Sequence, residues 1–369
     1  MFFSLVLKNL LRRKIRSLLT ILGIAVGITA VTSLVALSEG FVTSFESLFK
    51  SRQTDIAVMV KNKPDLFSSI MEEDIAPQVA KLPGVKSASP VLLDFTWVDD
   101  RPNVVIYGFV LSDYVMDHIK ILQGKTLSGP GKNEIVAGKL LMESMNRKVG
   151  DHVTIEQEVF EIVGEYESNN IYENGGMVTS LQTLQALTQS QGKISSVNVK
   201  LFDPMQTDKV KKEIEAMFPR LAAMAVQDMQ ENNQGLQMAR GMAWGTSFIA
   251  LLVGAIGTMN TMIMSVFERT REIGILRAVG WRKSRVLRMI LLESLMLSIL
   301  GGVIGIGAGY LVSSIVGNLQ ILKGMVFFHF SGILLLKAMG ISLGLGLFGG
   351  IYPALKGANL MPMEALRYE

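Results

Sequence analysis

Four long apolar runs constrain this chain more than any other feature. Leu18 to Leu37 is twenty residues without a charge. A helix needs about 20 apolar residues to cross the hydrocarbon core of a bilayer, where every backbone polar group must be satisfied within the segment. Ala243 to Phe267 also carries no charge, 289–316 carries only Glu293, and 331–355 carries only Lys337. The runs predict four transmembrane α-helices, the first over 18–39. A basic stretch precedes the first run, as in a cleavable leader. A leader core spans about 7–15 residues, however, and no small-x-small cleavage pattern is evident, so the run reads as a retained helix. Small residues recur in the last three runs ("GAIGTMNTM", "GGVIGIGAGY", "GLGLFGG"). They let helix backbones approach closely in lipid, and Gly254, Gly257 and Asn260 are expected to serve helix packing.

Charge gives the sidedness. Lys8, Arg12, Arg13, Lys14 and Arg16 precede the first run, and residues 1–17 read as a basic amphipathic helix. Seven arginines and lysines lie between the second and third runs, and Lys356 and Arg367 follow the fourth; the loop between the third and fourth has only Lys323. By the positive-inside rule both termini and the arginine-rich loop are cytoplasmic. Residues 40–240 then lie outside, inserted between the first and second helices. This stretch holds 26 acidic and 20 basic residues, a net of −6, while the rest of the chain carries +10. It alternates strand patterns ("DIAVMV", "NVVIYGFV", "DHVTI", "VFEIVGEY", "GGMVTS", "SSVNVKLF") with helix patterns over 72–81, 139–145, 181–187 and 208–217, which predicts an α+β domain. "SASP" and "SGPG" read as turns. Ser38–Arg52 and Gln227–Arg240 read as helical stalks that extend the flanking membrane helices. Residues 241–369 form the remaining membrane region.

Several chemistries find no residues to carry them. There is no cysteine, and the histidines, His118, His152 and His329, are far apart in sequence. His118 and His152 read as surface or partly buried polar groups. No metal spacing, serine–histidine–acid set or nucleic-acid signature can be argued. "QGKT" at 123–126 resembles the end of a phosphate-binding loop, but the glycine required five residues before Gly124 is Ile119. No bound cofactor and no catalytic residue is expected. Glu293, about one turn into the third run, is an intramembrane acid and a functional candidate on that ground. It is expected to pair with Arg288 or another basic neighbour. Lys337 can snorkel outward.

The arginine-rich loop, "ERTREIGILRAVGWRKSR", is patterned as well as charged. Placed on a helix over 269–280, Ile273, Ile275, Leu276 and Val279 share an arc of about 160°. Thr270, Arg271, Gly274, Arg277 and Ala278 fall opposite. Gly274 and Ala278, four apart, form a small-residue strip between arginines. Glu272 lies in the apolar arc, with Arg269 as its nearest partner. Two readings stand: an interfacial helix with its apolar side down, or a docking helix that a partner approaches along the Gly274–Ala278 strip.

The sequence from "MNTMIMSVFERTREIGILRAVGWRKSR" through "GGVIGIGAGY" resembles the FtsX-like permease region of the MacB family of ABC transporters. "NLLRRKIRSLLTILGIAVGITAV" at the start is similar to that family too. So is the tail, "GIYPALKGANLMPMEALRYE", with Pro353, Ala354, Pro362 and the Ala365-Leu366-Arg367 end. "LQGKTLSGPGKNEIVAGKLLMESMNRKVGDHVTI" followed by "VFEIVGEY" resembles the MacB-like periplasmic core domain. The resemblance implies an inner-membrane permease that acts as a dimer of two copies and moves its outer domain by mechanotransmission. MacB proteins carry a fused ATPase domain. This sequence opens at the membrane helix, so the resemblance implies a separate cytosolic ATPase that binds the ATP. It also implies a coupling helix over 269–280, with Arg269, Arg271, Glu272, Gly274, Arg277, Ala278 and Gly280 at the ATPase contact. Some members work with a periplasmic adaptor and outer-membrane channel in efflux or lipoprotein extraction. Others, in the FtsX manner, activate an external hydrolase without transport, and the residues leave both open.

Overall fold

The computed structural model describes residues 14–63, 68–226, 234–319 and 326–360. The basic helix expected before residue 14, the stalk residues 227–233, Lys323 and the C-terminal pattern at 362–367 lie outside the described residues.

In chain order the helices are α1 (Lys14–Ser51), α2 (Ile75–Val79), α3 (Lys139–Met145), α4 (Ile171–Asn174), α5 (Leu181–Leu187), α6 (Thr207–Met217), α7 (Gln234–Glu268), α8 (Thr270–Ala278), α9 (Lys283–Gly317) and α10 (Gly332–Ala358). Four of them, α1, α7, α9 and α10, are long and apolar enough to cross a membrane. The chain divides into two compact units: a helical unit of residues 1–39, 240–315 and 328–369, and a second unit of residues 40–239 with 316–327. The α+β domain is thus inserted between the first and second membrane helices. α1 is a single helix whose residues 14–39 belong to the first unit and 40–51 to the second.

Close approach holds the helical unit together. Gly301, Gly305 and Gly309 of α9 recur every fourth residue, and a Cβ at any of them would meet Ile24, Ile28 or Thr32 of α1 at 3.0 Å or less. Thr29 Oγ1 donates to the Gly305 carbonyl at 3.0 Å and Ser33 Oγ to that of Gly309 at 3.2 Å. The α9–α10 contact repeats the device, with Ser294 Oγ donating to the Gly346 carbonyl and Ser342 Oγ to the Ser298 carbonyl, both at 2.5 Å. In lipid, where no hydrophobic force drives apolar helices together, such contacts supply the association. Gly254 faces the Gly23 carbonyl of α1 at 3.4 Å from its ideal Cβ. Gly257 has open space at that position and Asn260 is exposed, so neither is packed in a buried contact among the described residues.

The inserted domain is built on a mixed sheet. Its strands are β1 (Ile56–Val60), β3 (Val85–Val98), β4 (Arg101–Phe109), β5 (Lys120–Gly124), β6 (Glu134–Gly138), β7 (His152–Ile155), β8 (Glu158–Glu167), β9 (Met177–Ser180), β11 (Ser196–Leu201) and β12 (Leu221–Ala225); β2 (Met71–Glu72) and β10 (Lys193–Ile194) pair separately. The order is β12-β1-β11-β3-β4-β9-β6-β8-β5, with β7 joining β3 and β8. Pairing is antiparallel except for β4 with β9 and β6 with β8.

Two expectations are corrected here. "SASP" is no turn: Ser87–Pro90 lies within β3, paired to β11 through Val197↔Pro90. The β4 pairing of β3 begins only at Val91, so Pro90 has a ladder on one side alone, a position that tolerates its missing N–H. The helix expected over 72–81 is confined to Ile75–Val79, because Met71–Glu72 pairs with β10. In "QGKT", dismissed above as a phosphate loop, Gln123 and Gly124 are the end of β5, antiparallel to β8, and Lys125 and Thr126 follow it. Gly124 has φ +82°, and a Cβ there would lie 2.3 Å from the Val163 carbonyl oxygen, so the glycine serves strand packing.

The stalk end of α1 is held in the inserted domain by polar contacts. Arg52 is buried and its Nε donates to Glu173 Oε1 at 2.8 Å. Its guanidinium lies against the Tyr107 and Phe109 rings, at 5.1 and 4.9 Å, a cation–π arrangement strengthened by desolvation. His118 Nε2 meets Glu173 Oε2 at 2.8 Å and Ser168 Oγ donates to the same oxygen. Of the two placements expected for His118, surface or partly buried, the second holds, with its side chain in this cluster. Asn170, the N-cap of α4, donates to the Ser44 carbonyl and Ser47 Oγ of α1. Burial alone would raise the Glu173 carboxyl, but Arg52, His118 and Ser168 outweigh it and hold the group at about 2, below the ordinary 4.5. The folded pKa is depressed, so this contribution is complete above the ordinary value and is lost as pH falls from 4.5 towards 2. Thermal melts of the full chain in detergent across that window should show falling stability in wild type and a flatter profile in Glu173→Gln. Parallel profiles would contradict the assignment.

Candidate coupling site

The loop between α7 and α9 folds as α8, separated from α7 by one residue. Arg269 has φ −106° and ψ 12°, outside helical geometry. Thr270 Oγ1 donates to the Phe267 carbonyl at 2.7 Å, satisfying an acceptor that the end of α7 leaves free. The far end closes as a Schellman motif. Gly280 N–H donates to the Arg277 carbonyl and Trp281 N–H to that of Leu276, with Gly280 at φ +96°. A side chain at Gly280 would pay the left-handed penalty of about 1–2 kcal/mol. Arg277 Nη1 donates to the Trp281 carbonyl at 2.8 Å across the same turn.

α8 is seated on the ends of three membrane helices. Ile273 is buried in a cluster with Met262 and Val266 of α7, Val286, Met289 and Ile290 of α9, and Ala354 and Ala358 of α10; Leu276 and Trp281 pack against it. The adjacent polar contact is Arg269 Nη1 to Glu293 Oε2 at 2.8 Å, with both side chains buried. Glu293 thus pairs across the loop with the residue that opens α8, not with Arg288, and Glu272 is exposed. Around this core the chain also ties α1 to α7 through Arg16 and Glu268, α9 to the end of α10 through Lys283 and Asn359, and Lys356 to the Phe267 ring.

This seating divides the apolar arc expected from the sequence, with Ile273 and Leu276 turned inward and Ile275 and Val279 outward. Thr270, Ile273 and Gly274 are buried, whereas Ile275 is 48% and Val279 77% exposed. The Gly274–Ala278 strip is therefore not open along its length, since Gly274 faces the chain's own helices while Ala278 is exposed. The outward face consists of Arg271, Glu272, Ile275, Ala278 and Val279. Two β-branched residues, Ile275 and Val279, are thus exposed among charged neighbours. Among the described residues no cluster of metal-binding side chains occurs. Removing one member of a buried ion pair leaves an uncompensated charge and costs about 3–5 kcal/mol. Glu293→Gln should accordingly lower the thermal stability of the detergent-solubilised chain more than Glu272→Gln does. Equal effects would show that the Arg269–Glu293 pair does not hold the site.

Comparison with known proteins agrees with this architecture. The MacB-like periplasmic core domain matches residues 17–217, and the FtsX-like permease C-terminal region matches 244–362. The macrolide export ATP-binding/permease protein MacB of Haemophilus ducreyi is 28% identical over 396 residues, covering 100% of this chain and 56% of that protein. MacB of Brucella melitensis is 27% identical, covering 96% of this chain and 58% of the relative. The chain thus spans less than two thirds of the length of these relatives. An ABC transporter permease of Methanocaldococcus jannaschii is 26% identical and is matched over 96% of its length, with 98% of this chain covered. With a periplasmic core domain inserted after the first of four membrane helices and an FtsX-like region carrying the other three, the chain belongs to the MacB family of ABC transporter permeases.

Proposed function

We propose that this chain is the membrane subunit of a MacB-type ABC transporter and that α8 is where a separate cytosolic ATPase drives it. The observation that carries this reading is the combination of an inward face fixed to α7, α9 and α10 with an outward face left exposed. A helix held that way passes a push on its outer surface into three spans at once. The Lys and Arg distribution supports a cytoplasmic position for this loop and for both termini. α1 would carry the motion onward, since it is continuous from Lys14 to Ser51 and its end is held by Arg52–Glu173 and Asn170. The outer domain would then do mechanical work on an amphiphile, antibiotic, peptide or lipoprotein, with a periplasmic adaptor and outer-membrane channel as further partners. Macrolide export, the activity named for the Haemophilus relative, is of this kind.

A second copy of the chain completes the assembly in this reading. Asn260 and Gly257 lie on an exposed stripe of α7 with Val253 and Met264. An amide exposed on a membrane helix favours a partner helix that can hydrogen-bond it, and a nearby glycine permits close approach.

Co-purification with the candidate ATPase tests the docking face. Ile275→Asp and Val279→Asp should each weaken association by about tenfold or more, as expected for central contact residues. Both side chains are exposed, so the permease should remain folded. Undiminished association in both variants would remove α8 from the contact.

A further inference from the structure

The start of α9 carries a second cluster of arginines. Arg282, Arg285 and Arg288 line one open cleft of about 620 Å³ with Gly280, Ser284 and Leu292. The neighbouring cations are engaged by the chain itself: Arg269 with Glu293, Arg277 with the Trp281 carbonyl, Lys283 with Asn359, and Lys356 with the Phe267 ring. The three cleft arginines are exposed, and among the described residues none is paired with a carboxylate. Arg285 rests on the Trp281 ring at 5.4 Å. Convergent guanidinium forks suit the oxygens of a phosphate better than point-charge ammonium groups would.

The helix then changes character along one stripe. Arg285, Arg288, Leu292, Ile299 and Val303 lie within about 60° of one another at 100° per residue. Leu292, Ile299 and Val303 are 39%, 45% and 56% exposed. From Leu292 to Val303 the helix rises about 16 Å, roughly half the thickness of the hydrocarbon core and hence one leaflet. A phosphate cleft that runs directly into an apolar stripe one leaflet long has the shape of one class of ligand. We propose that this face of α9 binds an anionic phospholipid, with its phosphodiester among Arg282, Arg285 and Arg288 and its acyl chain along Leu292, Ile299 and Val303. The proposal rests on the membrane-spanning reading of α9 and is independent of the ATPase.

The test uses the full chain without any ATPase, in phosphatidylcholine nanodiscs that carry a small fraction of spin-labelled phosphatidylglycerol. The immobilised lipid fraction is measured for wild type, for Arg285→Gln/Arg288→Gln and for Arg271→Gln, an exposed arginine outside the cleft. Wild type and Arg271→Gln should prefer phosphatidylglycerol over labelled phosphatidylcholine, and the double variant should lose at least about fivefold of that preference. Gel filtration of the double variant checks that it remains folded. An unchanged preference in the double variant would overturn the proposal. So would displacement of the lipid by millimolar inorganic phosphate, which would mark a free-anion site. Loss of ATPase co-purification in the double variant with lipid preference intact would make the cleft part of the protein contact instead, and would likewise overturn it.

Discussion

The buried pair of Arg269 and Glu293 is the constraint on which the loop's architecture turns. The partners are 24 residues apart, on either side of α8. Arg269 is the residue at which the helical path of α7 breaks, and Glu293 lies in the apolar body of α9. Neither charge would be stable alone in that setting, so each requires the other in place. With the pair made, the break after α7 has a fixed direction and Ile273 falls into the pocket formed by the ends of three membrane helices. The residues turned outward, Ile275, Ala278 and Val279, follow from that geometry and not from their own hydrophobicity.

At its other end the first helix meets a second buried pair of the same kind. Arg52 and Glu173 are 121 residues apart and fully enclosed, with His118, Ser168 and two aromatic rings around them. Among the described residues two guanidinium nitrogens of Arg52 have no hydrogen-bond partner, and the group lies against the ring faces of Tyr107 and Phe109. A purely apolar contact could slip along the helix axis, whereas a charged, hydrogen-bonded one fixes register.

Much of this organisation was legible in the sequence, for reasons that can be named. Bilayer thickness dictates the length of an uncharged run, so the four spans and the inserted domain followed directly. Lys139–Met145 and Leu181–Leu187 matched their helices because local patterning and caps agree there. Periodicity also found α8, but it reports only which residues share a face. Which face is buried depends on what α7, α9 and α10 offer, and Met262, Val286 and Ile290 accept Ile273 while leaving Ile275 and Val279 outside. The Ser87–Pro90 stretch failed for a related reason, since its turn-forming composition is overridden by pairing with β11. Arg52–Glu173 and Arg269–Glu293 left no local signal, because the partners meet only in three dimensions.

In the proposed function, Arg269 and Glu293 act as one unit that would transmit force from α8 into the spans. A double-mutant cycle on permease-dependent ATP hydrolysis measures this most directly, using wild type, Arg269→Gln, Glu293→Gln and the double variant, each assembled with the ATPase. Coupling through the pair predicts that each single change lowers the permease-dependent rate about tenfold and that the double change costs little more than either alone. Additive losses, or single variants that hydrolyse ATP at the wild-type rate, would contradict it.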